Sequence, residues 1–123
     1  MACEEQVQSI SILAADDLSA KQFTFMVVDT NGEIDQVGSA GGDADGVLLN
    51  KPDAQYEVAE LAYGGRVKVA AGDTVTPGML VQSDGSGAAI EAGSDDHVLG
   101  TCLVGGLVGE LIEVLLISQH ILS

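Results

Sequence analysis

What most constrains this chain is its punctuation: the apolar runs are short, and Gly, Asp, Asn or Pro ends one about every ten residues. Strands fit between such stops, whereas amphipathic helices need longer uninterrupted periods. Residues 7–13 alternate through Ser9, Ile10, Ser11 and Ile12, the pattern of a strand with one covered face. Residues 23–28 are rich in β-formers and run into Asp29-Thr30-Asn31-Gly32, after which 34–37 can return. Asn-Gly between two such runs predicts a type I′ hairpin, whose turn needs positive φ at both central positions. Residues 38–46 (GSAGGDADG) read as a loop, and Val47-Leu48-Leu49 is a short run closed by Asn50-Lys51-Pro52.

Further on, residues 57–62 alternate, with Val58 and Ala62 opposite Ala59 and Leu61. Gly64-Gly65 reads as a break. In the run that follows, Arg66 and Lys68 share one face, to be met by solvent or a partner. Two turns, 72–75 and 76–78, precede a hairpin of 79–82 and 88–92 across Ser83-Asp84-Gly85-Ser86-Gly87. The last run, 107–122, fits either a strand buried on both faces or a helical stripe through Leu107, Leu111, Val114, Leu115 and Leu122. The strand is favoured, because Gly106 and Gly109 weaken a helix start and Ile112, Val114 and Ile117 are β-branched. Residues 17–22 are the other helical candidate, a single turn capped by Asp17 or Ser19. No βαβ unit is present, which excludes a Rossmann-type enzyme.

The chain has 123 residues, one domain's worth. Its composition is 46% hydrophobic but only 3% aromatic, so the core is built of small and branched side chains. Nineteen acids against four bases give a net charge of -15, which excludes nucleic acid and anionic membranes as partners. All four bases, Lys21, Lys51, Arg66 and Lys68, precede position 69, and the seven acids beyond it have no base in their own segment. They are either solvated turns or the match of a basic partner surface. Residues 1–10 lack a basic patch followed by an apolar stretch, and no run is long and clean enough to span a bilayer. The expectation is therefore a cytoplasmic product with Cys3 and Cys102 as reduced thiols.

Catalytic chemistry is thin. His97 and His120 are the only histidines; His97 follows Asp95-Asp96, but no nucleophile with a positioned base accompanies them. A zinc site would have to gather Cys3, Cys102, His97 and His120 without ligand spacing. The acidic turns at 29–32, 43–46 and Asp95-Asp96 offer oxygen to calcium, yet none continues into a twelve-residue loop with a terminal Glu; Asp, Asn and Gly serve there as turn formers. No enzyme and no cofactor are expected.

In this order, Leu18-Ser19-Ala20-Lys21-Gln22-Phe23 before a strand and an Asn-Gly hairpin, Gly46-Val47-Leu48-Leu49-Asn50-Lys51-Pro52, the run 65–80 (GRVKVAAGDTVTPGML), Ser83-Asp84-Gly85-Ser86-Gly87, Val98-Leu99-Gly100 and residues 110–116 make the chain resemble the capsid decoration, or head cement, proteins of tailed bacteriophages. The resemblance implies a mainly β domain over 18–123, a β-clip-like barrel or sandwich of short antiparallel strands, with 1–17 as an N-terminal arm or first strand. It implies a virion protein made in the bacterial cytoplasm. Such a protein assembles as a homotrimer or other small oligomer and binds the major capsid protein on the outside of the expanded head, tying capsomers together. The interface expected on this basis is Val7, Ser9, Ile10 and Ile12 of the arm, Tyr56 and Tyr63, and Arg66 and Lys68. The tyrosines flank a strand and either anchor that interface or fill the core. The aliphatic core is expected to be shared with neighbouring subunits. The rival expectation is a small β-barrel ligand module for a carbohydrate or a carried group. The absence of Trp and the placing of Lys68 within a strand speak against it.

Overall fold

The computed structural model describes residues 7–38, 44–93 and 97–121. Among them are nine strands and no helix: β1 Val7–Leu13, β2 Phe25–Val28, β3 Ile34–Gln36, β4 Gly46–Leu48, β5 Val58–Ala70, β6 Leu80–Ser83, β7 Ala89–Glu91, β8 His97–Val104 and β9 Leu111–Ile121. They form one antiparallel sheet in the order β3-β2-β4-β5-β9-β8-β6-β7, with β1 added to β5. The chain is thus a small all-β domain, as its punctuation predicts. The sheet is curled into a half-barrel: β2 and β7 lie far apart in that order, yet the N–H of Phe25 donates to the carbonyl of Gly87 at 2.8 Å.

β5 is the spine. Leu61 and Ala62 pair with β1 and also with β4, and Gly65 is the register partner of both Val7 and Leu116. The predicted break at Gly64-Gly65 is corrected: the strand continues through both glycines for 13 residues. What the glycines permit is a bulge. Gln8 pairs with Gly64 and Ser9 with Ala62, leaving Tyr63 without a partner in the ladder. Gly65 adopts a φ of +86°, which an L side chain rarely takes. An extra residue inverts a strand's alternation. Ala59 and Leu61 therefore face one apolar cluster, with Leu18, Met26, Ile34 and Leu48. Ala62 faces the other, and past the bulge Val67 and Val69 continue on that side, with Phe25, Val81, Ile112 and Val114.

The β2–β3 hairpin forms where Asn-Gly predicts it, but not as type I′. Only Gly32 of the two has positive φ, +78°. The Asp29 carboxylate organises a longer loop, accepting the N–H groups of Asn31 (2.9 Å) and Glu33 (3.0 Å), while the N–H of Asp29 donates to the Glu33 carbonyl. The β6–β7 turn repeats the device: Asp84 accepts from Ser86 (2.8 Å) and Ala88 (2.9 Å), and Gly87 takes a φ of +91°. Residues 17–22 form turns rather than a helix, Lys21 N–H bonding back to the Leu18 carbonyl at 2.9 Å. One isolated turn gains too little to nucleate a helix.

The ambiguous last run is the strand β9, covered on one face only. Ile112, Val114 and Leu116 are buried, whereas Leu111 and Leu115 are exposed. The folded chain exposes 6060 Å², close to the roughly 6,000 Å² of a compact monomer of this mass. The chain therefore buries a core of its own, with Leu107, Val108, Leu111 and Leu115 among the large apolar side chains it leaves exposed.

Gln82 is a flaw in that core. It is buried in β6, and its Oε1 finds no donor among the described residues. Gln82→Met is expected to raise stability by about 1 kcal/mol, because a buried acceptor without a donor costs about 1–3 kcal/mol. Urea unfolding of the two proteins measures the difference.

Candidate functional site

The polar chemistry is engaged in holding turns. Asp29 and Asp84 carry their hairpins, and the Asp45 carboxylate accepts the N–H of Val28 at 2.7 Å. Asp17 accepts the N–H (3.0 Å) and the hydroxyl (2.7 Å) of Ser19, and these bonds, the backbone one first, lower its pKa below the ordinary aspartate value. The Cys102 thiol is buried, and loss of solvent raises its pKa. Among the described residues no three His, Cys, Asp or Glu side chains converge to hold a metal. Cys3, Asp43, Asp95 and Asp96 lie outside the described residues, as does the side chain of His120.

Because Asp17 is depressed by bonds present only in the folded chain, its contribution to stability is full above the unfolded value. It is lost as pH falls through the folded one. Ser19→Ala is expected to move the Asp17 titration part of the way back up, since the larger, backbone bond survives. Carboxyl NMR across the acid range reads the shift.

The residues predicted for an interface do not form one continuous face. Val7 contributes its backbone opposite Gly65, and its side chain lies outside the described set. The hydroxyls of Ser9 and Ser11 donate to the two oxygens of Glu60, each at 3.0 Å, which fixes that carboxylate on the face of β1 and β5 opposite Ala59 and Leu61. Ile10 is exposed, whereas Ile12 packs against the Leu18–Met26–Ile34 cluster. Both tyrosines are exposed, so neither fills the core: Tyr63 at the bulge, and Tyr56 in a left-handed conformation (φ 72°) with its N–H on the Ala14 carbonyl. Arg66 and Lys68 share the outer face of β5, as predicted, beside β9. Arg66 makes an ion pair with Glu113, diagonal to it across the β5–β9 ladder.

Two apolar surfaces were not anticipated. On the outer face beyond Arg66 and Lys68 lie Leu111 and Leu115 of β9 and Val104 of β8, and Leu107 and Val108 of the β8–β9 connection are exposed as well, the last at 65%. At the opposite end of β5, Leu13 and Val58 are register partners and both exposed, with Tyr56 two residues before Val58. The signal for the first was Glu113, whose charge inside an apolar run marks the wet side of β9. The second had none, since Leu13 and Val58 meet only through strand pairing.

The sheet is curled and antiparallel, Asp29 and Asp84 hold its hairpin turns, and aliphatic side chains of β1, β5, β8 and β9 stay exposed. No protein-family model matches the sequence, and no curated protein does. The fold does match a solved structure, the crystal structure of the N base of the head fiber gp8.5 of bacteriophage phi29. The TM-score is 0.71 at 14% identity, over 90% of this chain and 94% of that one.

Proposed function

We propose that this protein is a non-catalytic structural component of a bacteriophage head. It decorates the outer surface of the expanded shell by binding the major capsid protein, and it associates with copies of itself, as a trimer. The observation that carries this reading is the match of the whole sheet to a head fiber base, reached independently of the decoration-protein motifs in the sequence. The net charge of -15 suits a protein that must stay soluble at high copy number before it meets a shell. The N-terminal segment 1–17, which includes β1, and the face of β5 that carries Arg66 and Lys68 supply the contacts in this reading.

Co-pelleting with expanded and unexpanded shells of the parent phage tests it. The expected result is binding to expanded shells and little to unexpanded ones. Equal binding to both, or none, would sink the decoration reading. High salt is expected to weaken attachment, since the base-free segment beyond Lys68 presents only acids to a capsid surface.

A further inference from the structure

Among the described residues β1 is the one strand with a neighbour on a single side. The two ends of the sheet path are tied down, since β3 meets Ala14 and β7 meets Ala71 through isolated bridges, and every other strand of the path lies between two others. β1 has β5 alone. The N–H of Ala14 donates to the Glu57 carbonyl and its own carbonyl accepts from Tyr56, so the backbone groups of 14, and by alternation of 12 and 10, point to β5. Those of 9, 11 and 13 point the other way. Ala15, next in that series, donates its N–H across to Ile34 at 2.9 Å.

Open edges invite pairing, and proteins blunt them with short length, charge or proline. The two path ends follow that rule: β3 and β7 have three residues each and carry Asp35 and Glu91. β1 does the opposite. It runs for seven residues, and the stretch 6–15 (QVQSISILAA) holds no proline and none of the chain's 19 acids or four bases. Ile10, at its middle, is 46% exposed although its register partner Leu61 is buried. What fits such an edge is another extended strand.

A second copy of β1 meets the requirement. A chain of -15 repels its copies over most of its area, and an uncharged edge is where two of them can bring backbones within hydrogen-bond reach. The acid attached to β1 is Glu60 of β5, which Ser9 and Ser11 hold. Across two joined β1 strands the flanking β5 strands stand three strand spacings apart, about 14 Å. Physiological salt screens charges over about 8 Å. The register is self-complementary as well. With a two-fold axis at Ile10, Ser9 pairs with Ser11 of the copy and Val7 with Leu13 of the copy. That uses every outward backbone group from 7 to 13 and stops short of Ala15, whose N–H is already engaged. Ile10 then faces its own counterpart in a close, non-hydrogen-bonded pair.

We propose that two copies of this chain join along β1, edge to edge and antiparallel about Ile10, so that one sheet runs through both. Such a contact is isologous and closes at two. It is therefore separate from the trimer contact of the reading above and stands whether or not that contact exists.

Two measurements on the full chain test it. Ser11→Pro removes an outward N–H and no ladder bond to β5, a change that an edge strand tolerates, and circular dichroism checks that the fold is kept. In sedimentation at micromolar concentration the unmodified chain is expected at no less than twice the mass of this variant, whether the variant runs as a 12.5 kDa monomer or as a trimer. Equal masses overturn the pairing. A variant of unchanged mass that no longer pellets with expanded shells gives the edge to the capsid protein and overturns it equally. Mild oxidation reads the register, in a Cys3→Ser background where Cys102 stays buried. Ile10→Cys is expected to form a disulfide-linked dimer, because Cα atoms in a non-hydrogen-bonded pair lie about 4.5 Å apart, within the span of a disulfide. Gln8→Cys is expected to remain a single chain on a non-reducing gel, since two copies of that position lie four residues apart along the pair, about 13 Å. No dimer from Ile10→Cys, or equal yields from the two variants, overturns the proposal even where Ser11→Pro fails to fold.

Discussion

Phe25→Ala is expected to lower stability by about 3–5 kcal/mol, the range found when a buried aromatic ring is truncated to a methyl group. Phe25 is the only one of the four aromatic residues that is fully buried, and it sits in a cluster of Val, Ala, Leu and Ile. Such neighbours are short and branched, with few rotamers by which to swing into the space. The strands that carry them are fixed by ladder bonds, and the Phe25 backbone is tied at its N–H to Gly87 and in register to Val47. The hole would therefore stay open, and the lost contacts would not be recovered. Thermal unfolding should show a fall of roughly 10 °C or more for a domain of this size. A loss below about 1.5 kcal/mol would mean that the core repacks freely.

Gly46→Ala is the second large effect, and its cause is the reverse. A Cβ at Gly46 would lie 2.2 Å from the carbonyl oxygen of Ala62 and 2.9 Å from Cγ of Leu61. The first obstacle is backbone and cannot rotate aside; relief requires that β4 move away from β5, against the pairs Val47–Ala62 and Leu48–Leu61. Overpacking of this kind costs about 1–3 kcal/mol and at times more, and a collision with a fixed strand belongs at the upper end, about 3 kcal/mol. Gly85→Ala is the control, since a Cβ there meets nothing within 4 Å. Denaturant midpoints should separate the two clearly, and equal midpoints would refute the close approach of β4 to β5.

These two positions also mark how far the sequence could be read. Phe25 lay in an anticipated strand, because β-formers in 23–28 signal locally. Gly46 looked like the end of a glycine-rich loop, since nothing nearby distinguishes a glycine that frees a turn from one that lets another strand come close. Gly64-Gly65 misled for the same reason: two glycines signify a break unless a partner strand is known to demand a bulge. Asn31-Gly32 marked the hairpin correctly but not its turn, because the Asp29 side chain captured two backbone N–H groups and lengthened the loop. The site was less legible than the fold. Arg66 and Lys68 were placed on one face by simple alternation, whereas the Leu13–Val58 pairing depends on contacts between distant segments that local pattern does not encode.

The place of β5 at the centre of the sheet also sets when the chain can fold. Its ladder partners β1 and β9 lie about fifty positions away on either side along the chain. Contacts so distant make folding slow, in milliseconds to seconds rather than microseconds. During synthesis the spine emerges with one edge partly served by β1 and β4, while the ladder running from Gly65 to Ala70 waits for β9, which follows it in the chain. A nascent chain stopped short of residue 111 would therefore expose an unpaired strand carrying Val67 and Val69, a ready template for aggregation. Completion of β9 is the step that releases this molecule from that hazard.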